Sequence, residues 1–414
     1  MKKILNEVLK EIKPSKKEEA EIKKEIKKII DNVNKGAKGF KAVLGGSGAK
    51  GTWLKVFDID IFVKFNYKDY KDKSNVLSDI LEKHLKKKFK GIVRLHGSRD
   101  YFRLKKGKYL FEIVPILDIN KASDAVNITD VSPLHADWVK KHVRHADDIR
   151  LLKQFCKANN FYGAESYIKG FSGYVCEILV VHYGSFIKVL RNSVRWKDKQ
   201  VIDTARYYKG ANDVFFNLNS SKLHSPLIII DPVQKDRNAA AALSRKQFLD
   251  FKIAASLFLK NPSAKFFEQK DVAKEIKNKA GKDWLVVVDV IPLAGKDDTV
   301  GCKLLKVFEY IIKKIERNDF IILEKRWWWD KSKKASFYLV IKKQELSKDK
   351  KWVGPPAGVK GAEDFKKKYK KTFVEGGRLV TFIKRKYAEP LKLIKEVIKD
   401  DYVKEKVKSI KVNV

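Results

Sequence analysis

The sequence predicts an α+β multidomain protein: a head of mixed sheet and helices, a mostly helical middle and a C-terminal α+β region. Three observations predict it. Apolar residues follow helical spacing over the first 33 positions and again over 144–196, but strand-like spacing between 40 and 117. The 414 residues, at roughly 100 to 200 per domain, argue for about three domains, and 24 Phe, 15 Tyr and 8 Trp can fill their cores. Finally, 91 Lys and Arg against 51 Asp and Glu leave a charge of +40 spread along the whole chain. That balance excludes a small single domain and a wholly disordered chain. It asks for a polyanionic partner and favours nucleic acid over a membrane surface, since no single amphipathic helix or tail carries the surplus. Roughly five lysines per arginine supply point charges for phosphates and few forks for base edges.

Taken in order, residues 1–33 read as one or two helices broken at Pro14-Ser15. A short strand follows at 40–44, a turn-rich insert at 45–55, a second strand at 58–65, a helix at 75–88, and strands at 91–95, 101–104 and 109–117. Residues 144–196 return to helix, with a strand at 227–230 and a helix at 244–260. A strand at 284–291, a helix carrying Val300, Leu304, Phe308, Ile311 and Ile315, and strands at 320–329 and 336–342 suggest an RRM-like unit. Gly354-Pro355-Pro356 is expected to break the chain, with a helix, a hairpin at Glu375-Gly376-Gly377 and a terminal helix after it. The expected domains are residues 1–142, 143–258 and 259–414. Cys156, Cys176 and Cys302, an odd number without metal-ligand spacing, fit a reducing cytosol, and the expected location is cytoplasmic. The most apolar stretch, 171–190, is interrupted by Glu177, His182 and Lys188, so no membrane partner is expected.

The stretch that carries chemistry is Gly45-Gly46-Ser47-Gly48-Ala49-Lys50-Gly51-Thr52-Trp53-Leu54, followed by Asp58-Ile59-Asp60-Ile61. Residues two apart in a strand share a face, so Asp58 and Asp60 present both carboxylates on one side. Two carboxylates so close repel unless a divalent cation lies between them. The glycine-serine turn lets backbone N–H groups and the Ser47 hydroxyl approach a phosphate chain. Each feature alone is weak, since many Asp-x-Asp pairs are solvated strand ends; in this order they suggest a nucleoside triphosphate bound through metal. A third carboxylate should come from a neighbouring strand, and Glu112, set between Phe111 and Ile113, is the candidate.

These residues resemble the nucleotidyltransferase motif of the DNA polymerase β superfamily, in the form found in archaeal, class I CCA-adding enzymes (tRNA nucleotidyltransferases). The similarity continues through Ser132-Pro133-Leu134-His135-x-x-Trp138, Arg150-Leu151-Leu152-Lys153-x-Phe155, Tyr162-Gly163-Ala164-Glu165, Gly170-Phe171-Ser172-Gly173-Tyr174-x-Cys176-Glu177, Asp231-Pro232-Val233 and Arg237-Asn238. The resemblance implies a polymerase-β-like nucleotidyltransferase head and template-independent addition of C, C and A to tRNA 3′ ends from CTP and ATP. It implies that Asp58, Asp60 and Glu112 are catalytic and hold two Mg2+ ions. Gly46, Ser47, Lys50, His135, Lys153 and Tyr162 would then meet the nucleotide, and Arg237 would recognise its base. Two departures stand out. Lys50 replaces the usual Arg, keeping the charge without the fork, and Glu112 replaces the usual Asp, adding a methylene. By chemistry alone His135 could equally be a capping histidine, Lys153 a surface lysine and Tyr162 a core aromatic.

For RNA, Lys351-Trp352, Arg326-Trp327-Trp328-Trp329 and the lysines from Lys366 to Lys371 interleave cations with aromatics. The Trp run also reads as a strand packed on both faces, Trp328 above all. The resemblance implies that the C-terminal region, with Lys351, Trp352 and Lys366, grips the acceptor stem and T-loop half of tRNA. The sequence leaves a homodimer open. The rival readings are a poly(A) or uridylyl polymerase of the same superfamily and a non-catalytic RNA-binding protein.

Overall fold

The break expected at Pro14-Ser15 separates two helices, α1 (Lys2–Ile12) and α2 (Lys16–Asn34), in the structure, a computed structural model that describes residues 1–413 except 56, 57 and 345. Ser15 starts α2 with a reciprocal cap: its hydroxyl accepts from the Glu18 N–H at 3.2 Å and the Glu18 carboxylate accepts from the Ser15 N–H at 2.7 Å. The chain forms two compact units, Met1–Lys270 and Asp271–Val414.

The head is a five-stranded sheet of order β1-β2-β5-β4-β3. Its elements are β1 (Phe40–Leu44), α3 (Gly46–Lys50), β2 (Ile59–Asn66), α4 (Tyr67–Tyr70), α5 (Leu77–Lys86), β3 (Val93–Leu95), β4 (Tyr101–Lys106) and β5 (Tyr109–Asp118). Ile59, Ile61, Val63 and Phe65 of β2 enter the core with Phe111 and Ile113 of β5 and with Ile22, Ile26 and Ile29 of α2. β2 and β5 run parallel and every other pair in the sheet is antiparallel. The insert expected to be turns holds α3, closed by Gly51 in the left-handed region at φ 67°.

The helical part follows with α6 (Ser132–Lys140), α7 (Ala146–Ala158), α8 (Gly173–Tyr183), α9 (Phe186–Val194), α10 (Ala211–Asn217) and α11 (Arg245–Lys260). A small sheet of order β6-β7-β8 lies among them: β6 (Gln200–Asp203), β7 (Leu227–Asp231) and β8 (Gln234–Asn238). Only β7 was expected; β6 is four residues long and β8 is polar throughout, so neither carries an apolar period. Phe251 of α11 centres the core, with ring centroids 4.6 Å from Phe171 and 6.0 Å from Phe155. Val8 of α1 is buried in this core, and Ile4, Leu5, Leu9 and Ile12 pack against it, so the first helix docks on the helical part and not on the head sheet. Among the described residues no single helix is long and apolar enough to cross a membrane.

In the second unit, α12 (Val272–Ala280) precedes β9 (Trp284–Pro292), α13 (Asp297–Arg317), β10 (Ile322–Trp329), β11 (Ala335–Ile341), β12 (Asp349–Pro356), α14 (Ala362–Lys368), β13 (Thr372–Glu375), β14 (Arg378–Lys384), α15 (Pro390–Val397), α16 (Asp401–Lys404) and β15 (Val407–Asn413). An antiparallel sheet of order β10-β11-β9-β15 packs on α13 and α15, which is the split βαβ arrangement of an RRM-like unit. Its last strand, β15, replaces the expected helical end. A second sheet, β12-β14-β13, is inserted before α15. Gly354-Pro355-Pro356 ends β12 at a register shift and does not break the unit; prolines fit there because the ladder is already interrupted. Trp327 and Trp329 pack on the core while Trp328 is 43% exposed, the reverse of the expectation for Trp328.

Candidate active site

Strand pairing brings the acidic residues together. In the parallel register of β2 and β5, Asp60 lies opposite Glu112, and Asp58 is exposed just before β2 begins. Burial, then the charges of Glu112 and Asp58, push the Asp60 carboxyl up to about 7, against the opposite pull of Lys50 and Lys153. Gly46 is required beside it. Its φ is 51°, and a Cβ there would lie 1.7 Å from Asp60 Oδ2. Glu112 is not left to itself: Arg103, its antiparallel partner on β4, donates Nε–H to Glu112 Oε1 at 2.9 Å. Three carboxylates are hard oxygen donors of the kind Mg2+ takes, and their mutual repulsion at Asp60 is what a cation relieves. Among the described residues no group of three or more His, Cys, Asp or Glu is placed so that it could hold a metal ion as it stands.

The two lysines on this side converge on Glu177, which in the sequence interrupts an apolar stretch and ends one of the similarity blocks without being assigned a role. Glu177, on α8, is 1% exposed. Its Oε2 accepts from Lys50 Nζ at 2.8 Å, and its Oε1 accepts from Lys153 Nζ at 2.7 Å and from the Thr52 hydroxyl at 2.9 Å. Lys153 also donates to Thr52 Oγ1 at 3.0 Å. Burial alone would raise Glu177, but the Lys153 and Lys50 charges overcome it and bring the carboxyl down to about 2. Burial lowers Lys153, with Glu177 opposing. Thus Lys153 is buried and not a surface lysine; Arg150, one turn before it on α7 and equally buried, donates to the Gly51 and Trp53 carbonyls and fixes the α3 loop on α7.

A second buried carboxylate holds the other pair. Asp231, at the end of β7, is 0% exposed. Its Oδ2 meets His135 Nε2 of α6 at 3.0 Å and accepts from Arg237 of β8 at 2.5 Å, while its Oδ1 accepts from the Tyr174 hydroxyl and the Val233 N–H, both at 3.0 Å. Burial would raise Asp231, yet the His135 bond, then the Val233 N–H and Arg237, bring it down to about 2. His135 itself is held below its ordinary value by burial and is therefore neutral near pH 7. Tyr174 ties the two centres: its ring stacks on His135 at 4.0 Å, and Lys50 Nζ lies 5.2 Å from its centroid. Tyr162 pairs with Phe171 after α7, and its phenol is pushed well up by burial. Gly173, first in α8, makes the room: a Cβ there would fall 2.7 Å from the Tyr162 hydroxyl and 3.6 Å from Lys153 Cε. Ser47 lies within α3, where its carbonyl accepts from the Thr52 N–H at 3.1 Å.

Asp58, Asp60, Glu112, Gly46, Ser47, Lys50, His135, Lys153, Tyr162 and Arg237 all belong to the first unit. Lys351, Trp352 and Lys366 belong to the second. Trp352 is 42% exposed; Lys351 is paired with Glu375 at 2.5 Å and Lys366 with Glu363 at 2.8 Å.

Three family models match the chain: a nucleotidyltransferase domain over residues 11–113, the second domain of tRNA nucleotidyltransferase over 147–268, and the C-terminal domain of the CCA-adding enzyme over 292–410. A CCA-adding enzyme of Nanoarchaeum equitans is 35% identical, covering 91% of this chain and 92% of that protein. Those of Methanocaldococcus jannaschii and Sulfurisphaera tokodaii are 33% and 30% identical, covering 95% and 96% of this chain and 90% and 91% of theirs. Among solved structures, a cytoplasmic RNA terminal U-transferase superposes with a TM-score of 0.51 at 15% identity, over 65% of this chain and 98% of that one. The Cid1 poly(U) polymerase gives 0.52 at 15% identity over the same shares. At that identity the two likenesses concern the fold.

Proposed function

The chain belongs to the CCA-adding enzyme family, and on that premise we propose that it builds the 3′ end of tRNA without a template, using CTP twice and ATP once and releasing pyrophosphate. The observation that carries the reading is the in-register Asp60 and Glu112, with Asp58 alongside and the Glu177-held lysines close enough to act on Asp60. Asp58, Asp60 and Glu112 would hold two Mg2+ ions, which supply activation of the tRNA 3′-hydroxyl and neutralisation of the leaving pyrophosphate. The chain's own groups do the rest. Gly46 and Ser47 give the phosphates room and a hydroxyl, Lys50 and Lys153 carry the triphosphate charge, and neutral His135 donates or accepts one hydrogen bond. Tyr162 closes the wall beside Lys153, and Arg237, anchored by one N–H on Asp231, turns the rest of its fork to a base edge.

We assign residues 1–142 to catalysis, 143–258 to nucleotide recognition and 259–414, with Lys351, Trp352 and Lys366, to the acceptor stem and T-loop half of tRNA. The test is incubation with tRNA lacking its terminal nucleotides and labelled CTP, ATP or UTP. CTP should enter twice, ATP once, and addition should stop. Runaway tailing with ATP or UTP would instead identify a poly(A) or uridylyl polymerase, and binding without addition an inactive RNA-binding protein. Asp60→Ala should reduce addition at least ~1,000-fold, as expected for loss of electrostatic stabilisation at the reacting phosphate, with tRNA affinity within about twofold of wild type by filter binding.

A further inference from the structure

A lysine ammonium is a point charge on a flexible stem, so nothing in the side chain itself fixes its direction, whereas an arginine fork orients itself on phosphate. With Lys at position 50, the fixed point has to come from outside. Glu177 is that point. It takes Lys50 on one oxygen and Lys153 with Thr52 on the other, at 2.7 to 2.9 Å, and so joins the loop at α3 and the helix α7 to α8. Lys50 spends one N–H on it, and Lys153 spends one on Glu177 and one on Thr52, so each ammonium keeps at least one donor for a phosphate oxygen. Two ammonium groups on one carboxylate also leave a single positive charge in a buried place, a surplus that a polyanion satisfies and a neutral ligand does not.

We propose that Glu177 is the positioning residue of the triphosphate subsite: it aims Lys50 and Lys153 at the phosphates without itself touching the nucleotide. This rests on the nucleotidyl-transfer reading of the site. Besides Glu177, the groups that face Lys153 are Lys50 and Thr52 from the loop at α3, Asp60 from β2, Cys176 from α8 and Tyr162 after α7. Of these, Glu177 is the nearest anion and the largest influence holding the proton on Lys153. Removing its charge therefore moves Lys153 deprotonation towards neutral pH, and triphosphate binding weakens as pH rises.

Glu177→Gln in the full-length protein tests this, with Mg2+ and tRNA lacking its last nucleotides for kinetics and with Mg·CTP and CMP as calorimetric probes. The expected result is a KM for CTP raised roughly 10- to 100-fold, the loss of a charge-assisted hydrogen bond, with kcat changed less. CMP affinity should stay within about twofold, and the CTP defect should be larger at pH 9 than at pH 6.5. Glu177→Asp, which restores the charge one methylene short, should recover the flat pH response while keeping part of the KM defect. Equal losses for CTP and CMP, or a folded Gln variant with wild-type KM, would overturn the assignment. Should the Gln variant not fold, the CTP-against-CMP comparison on Glu177→Asp decides in the same way. Failure of the wild-type protein to add C, C and A would overturn the functional reading instead, while CTP binding still reports on Glu177.

Discussion

At the scale of single residues, the site is built from acids whose neighbours set them at opposite ends of the carboxylate range. Asp60 is pushed up to about 7, while Glu177 and Asp231 are brought down to about 2. The signs separate their effects. Asp60 binds its proton more tightly in the folded protein, so its contribution to stability is full below the ordinary value of 3.8 and is lost as pH rises through about 7. Glu177 and Asp231 contribute stability above their ordinary values of 4.5 and 3.8, and lose it as pH falls towards about 2. Between pH 5 and 8, then, the change at these three groups belongs to Asp60. A divalent cation that takes the place of the proton should raise the melting temperature more at pH 8 than at pH 6, and Asp60→Asn should flatten that difference. Calorimetry with Mg2+ against EDTA at the two pH values checks it; equal gains would remove Asp60 from the metal site. The legibility of these residues follows their chemistry. Asp58 and Asp60 show in the sequence because strand alternation is local, and Glu112 because a carboxylate in an apolar strand is conspicuous. Glu177 and Asp231 do not declare their partners, because each pairs with residues between 6 and 127 positions away.

At the scale of elements, periodicity revealed the long helices and the five head strands, since each buries one face. What it missed includes the short α3 with five residues and β6 with four, the polar β8 with the sequence Gln-Lys-Asp-Arg-Asn, and the helices α6, α10 and α12 of seven to nine residues. Of these, α3 carries Gly46, Ser47 and Lys50, α6 carries His135 and β8 carries Arg237, so part of what the sequence hid bears the candidate site residues. Their positions depend on the helical core behind them. Phe251 of α11 touches Phe155 of α7, Phe161, Phe171 and Trp196 at ring separations of 4.6 to 6.0 Å. α7 and α8 in turn carry Lys153 and Glu177. Phe251→Ala should cost about 3–5 kcal/mol through lost transfer energy and an unfilled cavity. Hydrogen exchange should rise across α7, α8 and α11 while the core of residues 271–414 keeps its protection, because the two units have separate cores. Equal loss of protection in both would mean that they unfold as one.

At the scale of the whole molecule, the charge is not gathered where RNA contact was first expected. Residues 271–414 carry 37 basic and 21 acidic residues, so 37 − 21 = +16 of the +40 sits on about a third of the chain. The share is close to proportional, so both units carry the surplus. At the nucleotide the situation differs. Lys50 and Lys153 already share Glu177, and Arg237 shares Asp231 with His135, so each centre offers little net charge to the solvent and a triphosphate displaces few counterions. The many lysines without a buried partner release counterions when a phosphate backbone replaces them, and affinity then falls with a logarithmic slope of about −0.9 per phosphate contact on a duplex. With six or more contacts, tRNA affinity should fall about 1,000-fold or more between 50 and 200 mM KCl, while Mg·CTP affinity, measured calorimetrically at fixed free Mg2+, falls only a few-fold. Parallel slopes would show that nucleotide and tRNA draw on the same unpaired lysines, and would remove the distinction between the carboxylate-held cations and the rest.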